Sequence, residues 1–368
     1  MIHVEDMMNS GRRWFDGLGP RADETLSTRV RLARNLAGYR FVGSAKEEEL
    51  HGVFERVGSA LAEAPAMKQG EVAAIDELGV LDRQFLLERH LLTHDLAAEA
   101  KHRGIGIGPG EALSVMINEE DHLRLQCLKS GMQLYEAWEE ANRLDDQLSE
   151  ELPFAFSEEF GYLTSCPTNV GTGLRASLLV HLPSLVLTQR IKKVLAGVTQ
   201  VGLSVRGFQG EGSDVIGNFF QISNQVTLGM SEPATLEKLQ GVVLQILDME
   251  GKAREALLRD ARTQIEDKVG RAYGTLLHAR ILSSQETMGL LSALRFGKTI
   301  GLPGLPEIET INDMLICSQP AHLQKIAGRT MDSTERNHYR PLWIQERLKT
   351  QASRKPGKPD QRGKPNDA

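Results

Sequence analysis

The chain has 368 residues, enough for one large domain and a smaller one, each with its own core. Hydrophobic residues make up 40% and charged residues 25%, with a formal net charge of −6 and a pI near 6.0, so neither a nucleic-acid nor a membrane partner is expected and any basic site must be a local cluster. Three cysteines (Cys127, Cys166 and Cys317) are too few and too odd for a disulfide framework; with no secretory signal and no apolar run near about 18 residues, a cytoplasmic protein is expected.

Residues 1–24 read as a loose leader. From 25 to about 230, short β-like runs alternate with helical ones. The run Ser27-Thr-Arg29-Val30-Arg31-Leu-Ala-Arg34-Asn35 comes first. On a strand, alternation sends Arg29 and Arg31 to one face, where two guanidinium forks make a phosphate clamp. A solvated edge strand fits the same pattern. The glycine run 104–110 does not match a nucleotide-binding fingerprint and reads as a flexible turn. Ser114–Ile117, Gly161–Thr164, Leu203–Arg206 and Phe219–Ser223 read as strands. After the first of these come Glu119, Glu120 and Asp121 between apolar flanks. Carboxylates near a core are costly unless paired, so the run is either a site or an acidic turn. Leu134, Trp138, Ala141, Leu144 and Leu148 share one helical face, and Leu187, Ile191, Val194, Leu195 and Val198 another.

Thr164-Ser-Cys166-Pro-Thr-Asn-Val-Gly-Thr-Gly-Leu-Arg175 is a constrained turn carrying a thiol, hydroxyls and backbone amides, with Arg175 expected in a helix start. A lone cysteine there equally suits a buried apolar role. Arg206 and Glu211 fall on a Gly-rich turn after a strand. Ser231-Glu-Pro is a helix start, Ser283-x-x-Glu286 resembles a capping box, and residues 235–350 are mostly helical. Ser292-x-x-x-x-Gly297-Lys298-Thr299 lacks the first glycine of a P-loop and sits in a helical stretch, so it is rejected. No metal cage is indicated. From residue 353 the chain is Pro, Gly and charge, and disorder is expected. The residues thus give α+β followed by an all-α part.

Together, CPTNVGT, STRVRLARN, NEEDHLR, RGFQGEG and ISNQVTLG resemble the signature set of the guanidino (phosphagen) kinases, in that family's order, over about residues 25–230. The resemblance implies an antiparallel-rich sheet flanked by helices as a catalytic domain (25–255), followed by a smaller helical domain (256–352). Small-molecule members carry a helical domain ahead of STRVR; here 26 residues precede Ser27 and the helical part follows. That arrangement resembles the bacterial protein-arginine kinases of McsB type. The resemblance implies ATP-dependent phosphorylation of arginine side chains in proteins. A small-guanidine phosphagen kinase, or a catalytically silent adaptor that binds phosphoarginine, is the alternative.

The resemblance also implies residue roles. Arg29, Arg31, Arg124, Arg175 and Arg206 form a phosphate cage for ATP, with Mg²⁺ held by phosphate and water. Ser27, Thr28, Val30, His90, the run Ala176, Ser177, Leu178, Leu179 and the run Gly207, Phe208, Gln209, Gly210, Glu211 join them as nucleotide-binding residues. Glu120 acts as base, Glu211 as the second carboxylate on the guanidinium, and Cys166 as an auxiliary, oxidation-sensitive contact. A phosphoarginine-binding motif of these kinases, RDxxRA, corresponds to Arg336, Asn337 and Arg340, with Asn337 and Pro341 replacing its acid and alanine; an exposed polar loop before a last helix at Trp343–Lys349 fits equally. Implied partners are protein substrates with exposed arginine, a zinc-binding activator protein, a heat-shock repressor and the Clp protease machinery, marking proteins for degradation under stress, with a homodimer through the C-terminal helices.

Overall fold

The computed structural model describes residues 4–9, 14–98, 101–208 and 216–353. A short helix, α1 (Val4–Asn9), leads into strand β1 (Thr25–Arg34). Then follow α2 (Glu47–Glu63), β2 (Glu71–Ala74), α3 (Val80–Glu88), α4 (His94–Ala98), β3 (Gly104–Ile107), β4 (Leu113–Ile117) and β5 (Leu123–Ser130). Helix α5 (Leu134–Glu151) and a hairpin of β6 (Phe156–Ser157) and β7 (Gly161–Tyr162) precede β8 (Leu174–His181). After α6 (Pro183–Leu187) and α7 (Ile191–Gln200) come β9 (Leu203–Arg206) and β10 (Phe219–Asn224). The remainder is helical: α8 (Glu232–Asp260), α9 (Arg262–His278), α10 (Ser284–Thr299), α11 (Ile308–Cys317), α12 (Pro320–Ala327) and α13 (Ser333–Ser353).

Eight strands form one antiparallel sheet in the order β2-β3-β4-β5-β1-β8-β10-β9. One face is apolar: Val30, Leu32, Leu125, Cys127, Ala176, Leu178 and Ile222 pack under α2, α5 and α8. The opposite face carries a second core, in which Leu128, Leu179 and Phe219 meet Ala272, Leu276, Leu291, Leu294 and Met314 of the C-terminal helices. Those helices therefore roof part of the sheet directly. Arg295 of α10, fully buried, donates to the carbonyls of Ala22 and Asp23 and to Asn312 Oδ1, tying the roof to the entry of β1.

Several expectations need correction. The glycine run is not a turn: Gly104–Ile107 is a buried strand. A Cβ on Gly104 would lie 2.4 Å from the Phe54 ring and one on Gly106 2.9 Å from Leu61, so glycine lets α2 lie close on the sheet. Arg175 is on strand β8, not in a helix start. Gly171 and Gly173, at φ 112° and 66°, turn the chain back against β1, where a side chain on Gly173 would meet the Ala33 carbonyl at 2.6 Å. The single face over 187–198 is split between α6 and α7 at Gln189, φ 59°. The loop expected before Trp343 is helical from Ser333, with Pro341 inside the helix. The leader is not loose at its end: Trp14 and Phe15 are buried in the second core, and the Trp14 indole donates to the Arg89 carbonyl at 3.0 Å.

Strands 203–206 and 219–224, the α5 face, and the Ser231 and Ser283 caps match the sequence reading; both serines accept from the amide three residues on. The P-loop look-alike lies inside α10, with Ser292 bonded to His181. Phe15→Ala is expected to destabilise the fold by about 3–5 kcal/mol, as for other buried Phe truncations, read from the midpoint of chemical denaturation. A midpoint unchanged from wild type would mean that the N-terminal segment is not part of the cooperative unit.

Candidate active site

Register sets the site. Arg31 lies opposite Arg175 on β8 and Gln126 on β5; Ala33 lies opposite Arg124, and Gln221 opposite Arg206. Paired residues share a face and the face repeats every second residue, so Arg29, Arg31, Arg124, Arg175 and Arg206 all rise from one side of the sheet. Arg29, Arg31, Arg124 and Arg206 line a cavity of about 640 Å³ together with His90, Thr93, Glu119, Glu120, Gln221 and Gln319, among others. Arg175 is close enough to Arg29 and Arg31 to lower both their pKa values.

This is a concentration of like charge. Burial first, then Arg124, Arg175 and Arg206, push Arg29 down to about 10. Arg31 is also held well below its ordinary value, by burial first and then by Arg29, Arg124 and Arg175, with Glu119 opposing. Arg29 reaches Gln221 Oε1 at 2.7 Å, while the buried Nε of Arg31 has no hydrogen-bond partner. Such a cluster is an anion site by construction: charge-assisted bonds to phosphate oxygens would satisfy donors that the protein leaves open.

The acids sit at the β4–β5 end. Arg124 forks between Glu119 and Glu120, each at 2.8 Å. Glu119 is buried and also accepts from the Thr93 hydroxyl at 2.7 Å and the Glu120 amide at 2.8 Å, so it is fixed. Glu120 is the freer acid, with its side chain 40% exposed and Asn169 donating to it at 3.4 Å. That contact brings the Cys166 loop to the same rim. Cys166 Sγ lies 3.0 Å from Thr168 Oγ1. The loop is held from below: Asp121 Oδ1 accepts from the Ser165 amide and from Asn35 Nδ2, both at 2.6 Å, and Thr227 Oγ1 donates to the Thr168 and Val170 carbonyls. Arg34 adds a buried bridge to Asp145 at 2.7 Å and stacks on the Tyr162 ring at 3.5 Å.

His90 forms the cavity's other wall, at φ 59° just beyond α3. Burial, then Arg29, lower its pKa to about 3, so the imidazole is neutral at working pH. Trp14 and Phe208 flank it at 4.9 and 5.6 Å. Ser27, Ser177 and Leu179 line a small adjoining cavity with Arg29, His90 and Gln221. The side chains of Thr28, Val30, Ala176 and Leu178 do not join them: Thr28 donates to the Gly131 carbonyl, and the other three fill the core on the opposite face. Gly207 and Phe208 are buried beyond β9. Gln209, Gly210 and Glu211 lie outside the described residues.

Arg336, Asn337 and Arg340 are on α13 and do not line the cavity. Arg340 is buried and spends its donors on the Ser318 and Leu282 carbonyls and on Asn337 Oδ1, at 2.7–2.9 Å, while Arg336 donates to the Met331 carbonyl. Sequence reasoning missed Gln221, Thr93 and Gln319. The alternation of Phe219, Gln221 and Ser223 on one face was a usable signal for the first; nothing local marks the other two.

A family model described as the ATP:guanido phosphotransferase C-terminal catalytic domain matches residues 52–253, and one described as the protein-arginine kinase McsB C-terminal domain matches 262–359. A protein-arginine kinase of Moorella thermoacetica is 46% identical over 91% of this chain and 97% of its own length. The chain belongs to the protein-arginine kinase family. A second relative, from Desulforamulus reducens, is 45% identical over 94% of this chain and 97% of its own. Among solved structures, a duplicated taurocyamine kinase from Schistosoma mansoni aligns with TM-score 0.59 and 25% identity over 64% of this chain and 34% of that one. Lombricine kinase aligns at 0.58 and 26%, over 65% and 69%. No helix among the described residues is long and apolar enough to cross a membrane.

Two outcomes follow for the kinase. Arg31→Gln is expected to raise the melting temperature of the nucleotide-free protein while abolishing its stabilisation by ATP, which for a ligand at a hundredfold its Kd amounts to about 2.7 kcal/mol. Thermal shift with and without ATP reads both; a destabilised variant that keeps its ATP shift would contradict the repulsion argument. For His90, the folded pKa lies below the unfolded one, so the unfolded chain takes up a proton first as pH falls. Stability should drop between about pH 6.5 and 3, and His90→Gln should remove one proton, about 1.4 kcal/mol per pH unit, from that slope in acid-titrated denaturation curves.

Proposed function

We propose that the kinase transfers the γ-phosphoryl group of ATP to arginine side chains of proteins, with the five-arginine face as the phosphate clamp and Glu120 as the acceptor's base. The observation that carries this reading is the sharing of Arg124 between the two halves of the site: it belongs to the cationic face and also holds Glu119 and Glu120. A phosphate on the arginines and a guanidinium on the carboxylates therefore come side by side, as in-line transfer requires.

In this reading Mg²⁺ enters with ATP, held by phosphate oxygens and water, since two of the cavity's carboxylates, Glu119 and Glu120, are already engaged by Arg124. A guanidinium nitrogen attacks the γ-phosphorus, the N–P bond forms as the bond to the ADP oxygen breaks, and the nitrogen's proton passes to Glu120. Glu119, fixed by three donors, orients Arg124. Glu211, outside the described residues, takes the role of second carboxylate for the guanidinium that the family resemblance gives it, and Cys166 that of an auxiliary contact. Glu120 lies at the exposed rim, where an arginine tethered to a polypeptide can reach it. Family membership supports the wider role: marking proteins for Clp-type degradation and acting on a heat-shock repressor in the cytoplasm, as a homodimer under a zinc-binding activator protein.

Incubation with ATP, Mg²⁺ and an arginine-rich protein such as casein, followed by mass spectrometry, should find acid-labile phosphate on arginine. Phosphate on serine or tyrosine, or on free arginine in preference to protein, would contradict the reading. In initial rates, Glu120→Gln should lose roughly 10²–10⁴-fold, the usual weight of a general base, and Cys166→Ala distinctly less. The reverse ranking would remove these role assignments.

A further inference from the structure

Glu88, the last residue of α3, and the next two, Arg89 and His90, join the cavity to the C-terminal helices. Glu88, His90 and Gln319 all line the cavity, yet Gln319 is the residue before α12 and belongs to the helical roof. Its side chain is 5% exposed, and its Nε2 has no hydrogen-bond partner. Glu88 holds the start of α12 in place. Its Oε1 accepts from the Ala321 amide at 2.8 Å; its Oε2 accepts from the His322 amide at 3.0 Å and lies 2.7 Å from His322 Nδ1. Arg89 Nε donates to His322 Nε2 at 3.1 Å, so the imidazole proton is on Nδ1, facing Glu88. Arg89 itself is fully buried, gripped by both oxygens of Glu111 at 2.5 and 2.8 Å and bonded to the Met7 carbonyl.

His322 thus bridges Glu88, the last residue of α3, and Arg89 after it, and the next residue is His90. That wall adjoins Arg29, which acts on the His90 imidazole, whereas Glu119 and Glu120 are held on the β4–β5 connection by Arg124, with Thr93 also donating to Glu119. A shift of α12 would therefore be felt first at Gln319 and His90, whereas Glu119 and Glu120 have an anchor of their own in Arg124.

We infer that His322 is a positioning residue for the nucleotide: by locking α12 onto Glu88 and Arg89 it holds Gln319 and His90 in place, so the C-terminal helices set the affinity for ATP. The inference rests on the reading of this cavity as the ATP and arginine site. Its test uses the full chain and varies ATP and protein substrate separately. His322→Ala removes a hydrogen bond to a charged group and should raise KM for ATP about tenfold. It should leave kcat and KM for the protein substrate within about twofold. His322→Asn, which keeps a donor near Nδ1 for Glu88, should recover most of the loss. Leu348→Ala, a buried truncation in α13, serves as control: it should lower the melting temperature without moving KM for ATP.

If His322→Ala and Leu348→Ala both lower the melting temperature while KM for ATP stays at the wild-type value, the lock is only structural and the inference is wrong. An effect confined to KM for the protein substrate overturns it as well. Should His322→Ala not fold, Gln319→Ala provides the same readout, a raised KM for ATP being expected and an unchanged one overturning. A wild-type chain that labels no arginine would instead defeat the underlying reading, and the two failures are separately visible.

Discussion

The structure depends on a single electrostatic constraint: five guanidinium groups stand on one face of one sheet and crowd like charge together there. Burial first, and then repulsion among them, lowers the pKa values of Arg29 and Arg31. The repulsion must be held in check by structure elsewhere. The opposite face of the same strands is mainly apolar, so Val30 and Leu32 anchor the backbone that carries Arg29 and Arg31. Arg34 and Asn35, which end the same segment, pin it to Asp145 and Asp121. The motif that runs from Ser27 to Asn35 is thus half clamp and half anchor, which explains why it reads as one unit.

The sheet's far half shows a different use of the same face. Where the arginines stop, Leu128, Leu179 and Phe219 continue, and the C-terminal helices pack on them. The roof leaves open the part of the sheet that is charged and covers the part that is apolar. The edge of that roof, at Gln319, then becomes an edge of the cavity. A helical part that reads from sequence as an appendage is, in packing terms, continuous with the catalytic sheet.

Much of this was legible in the residues, and the failures have physical causes. Alternation exposed β1 because one face is charged and the other apolar. It failed for β8, whose Leu174–His181 is buried on nearly every side and shows no period, and for β3, where glycines stand in for side chains that α2 would clash with. The leader misled because Trp14 and Phe15 are only two large residues in a polar stretch, and their burial depends on partners such as Arg89 far along the chain. The acidic run pointed to Glu120 but could not separate the fixed Glu119 from the freer acid. Gln319 and Thr93 carried no local signal, because their placement is set wholly by tertiary contacts.

Strand order has a consequence for biosynthesis. β1 is made first yet occupies the middle of the sheet, between β5 and β8, while β9 and β10 complete one edge. Its partners emerge from the ribosome about 100 and 150 residues later, so the nascent chain must keep an apolar, arginine-bearing strand unpaired until then. Nucleotide cannot assist these early stages, since Arg175 and Arg206 have yet to arrive. Assembly of the clamp is thus a late event, and an interrupted chain ending before β8 would leave the edge of β1 that β8 covers unpaired rather than give a partially competent enzyme.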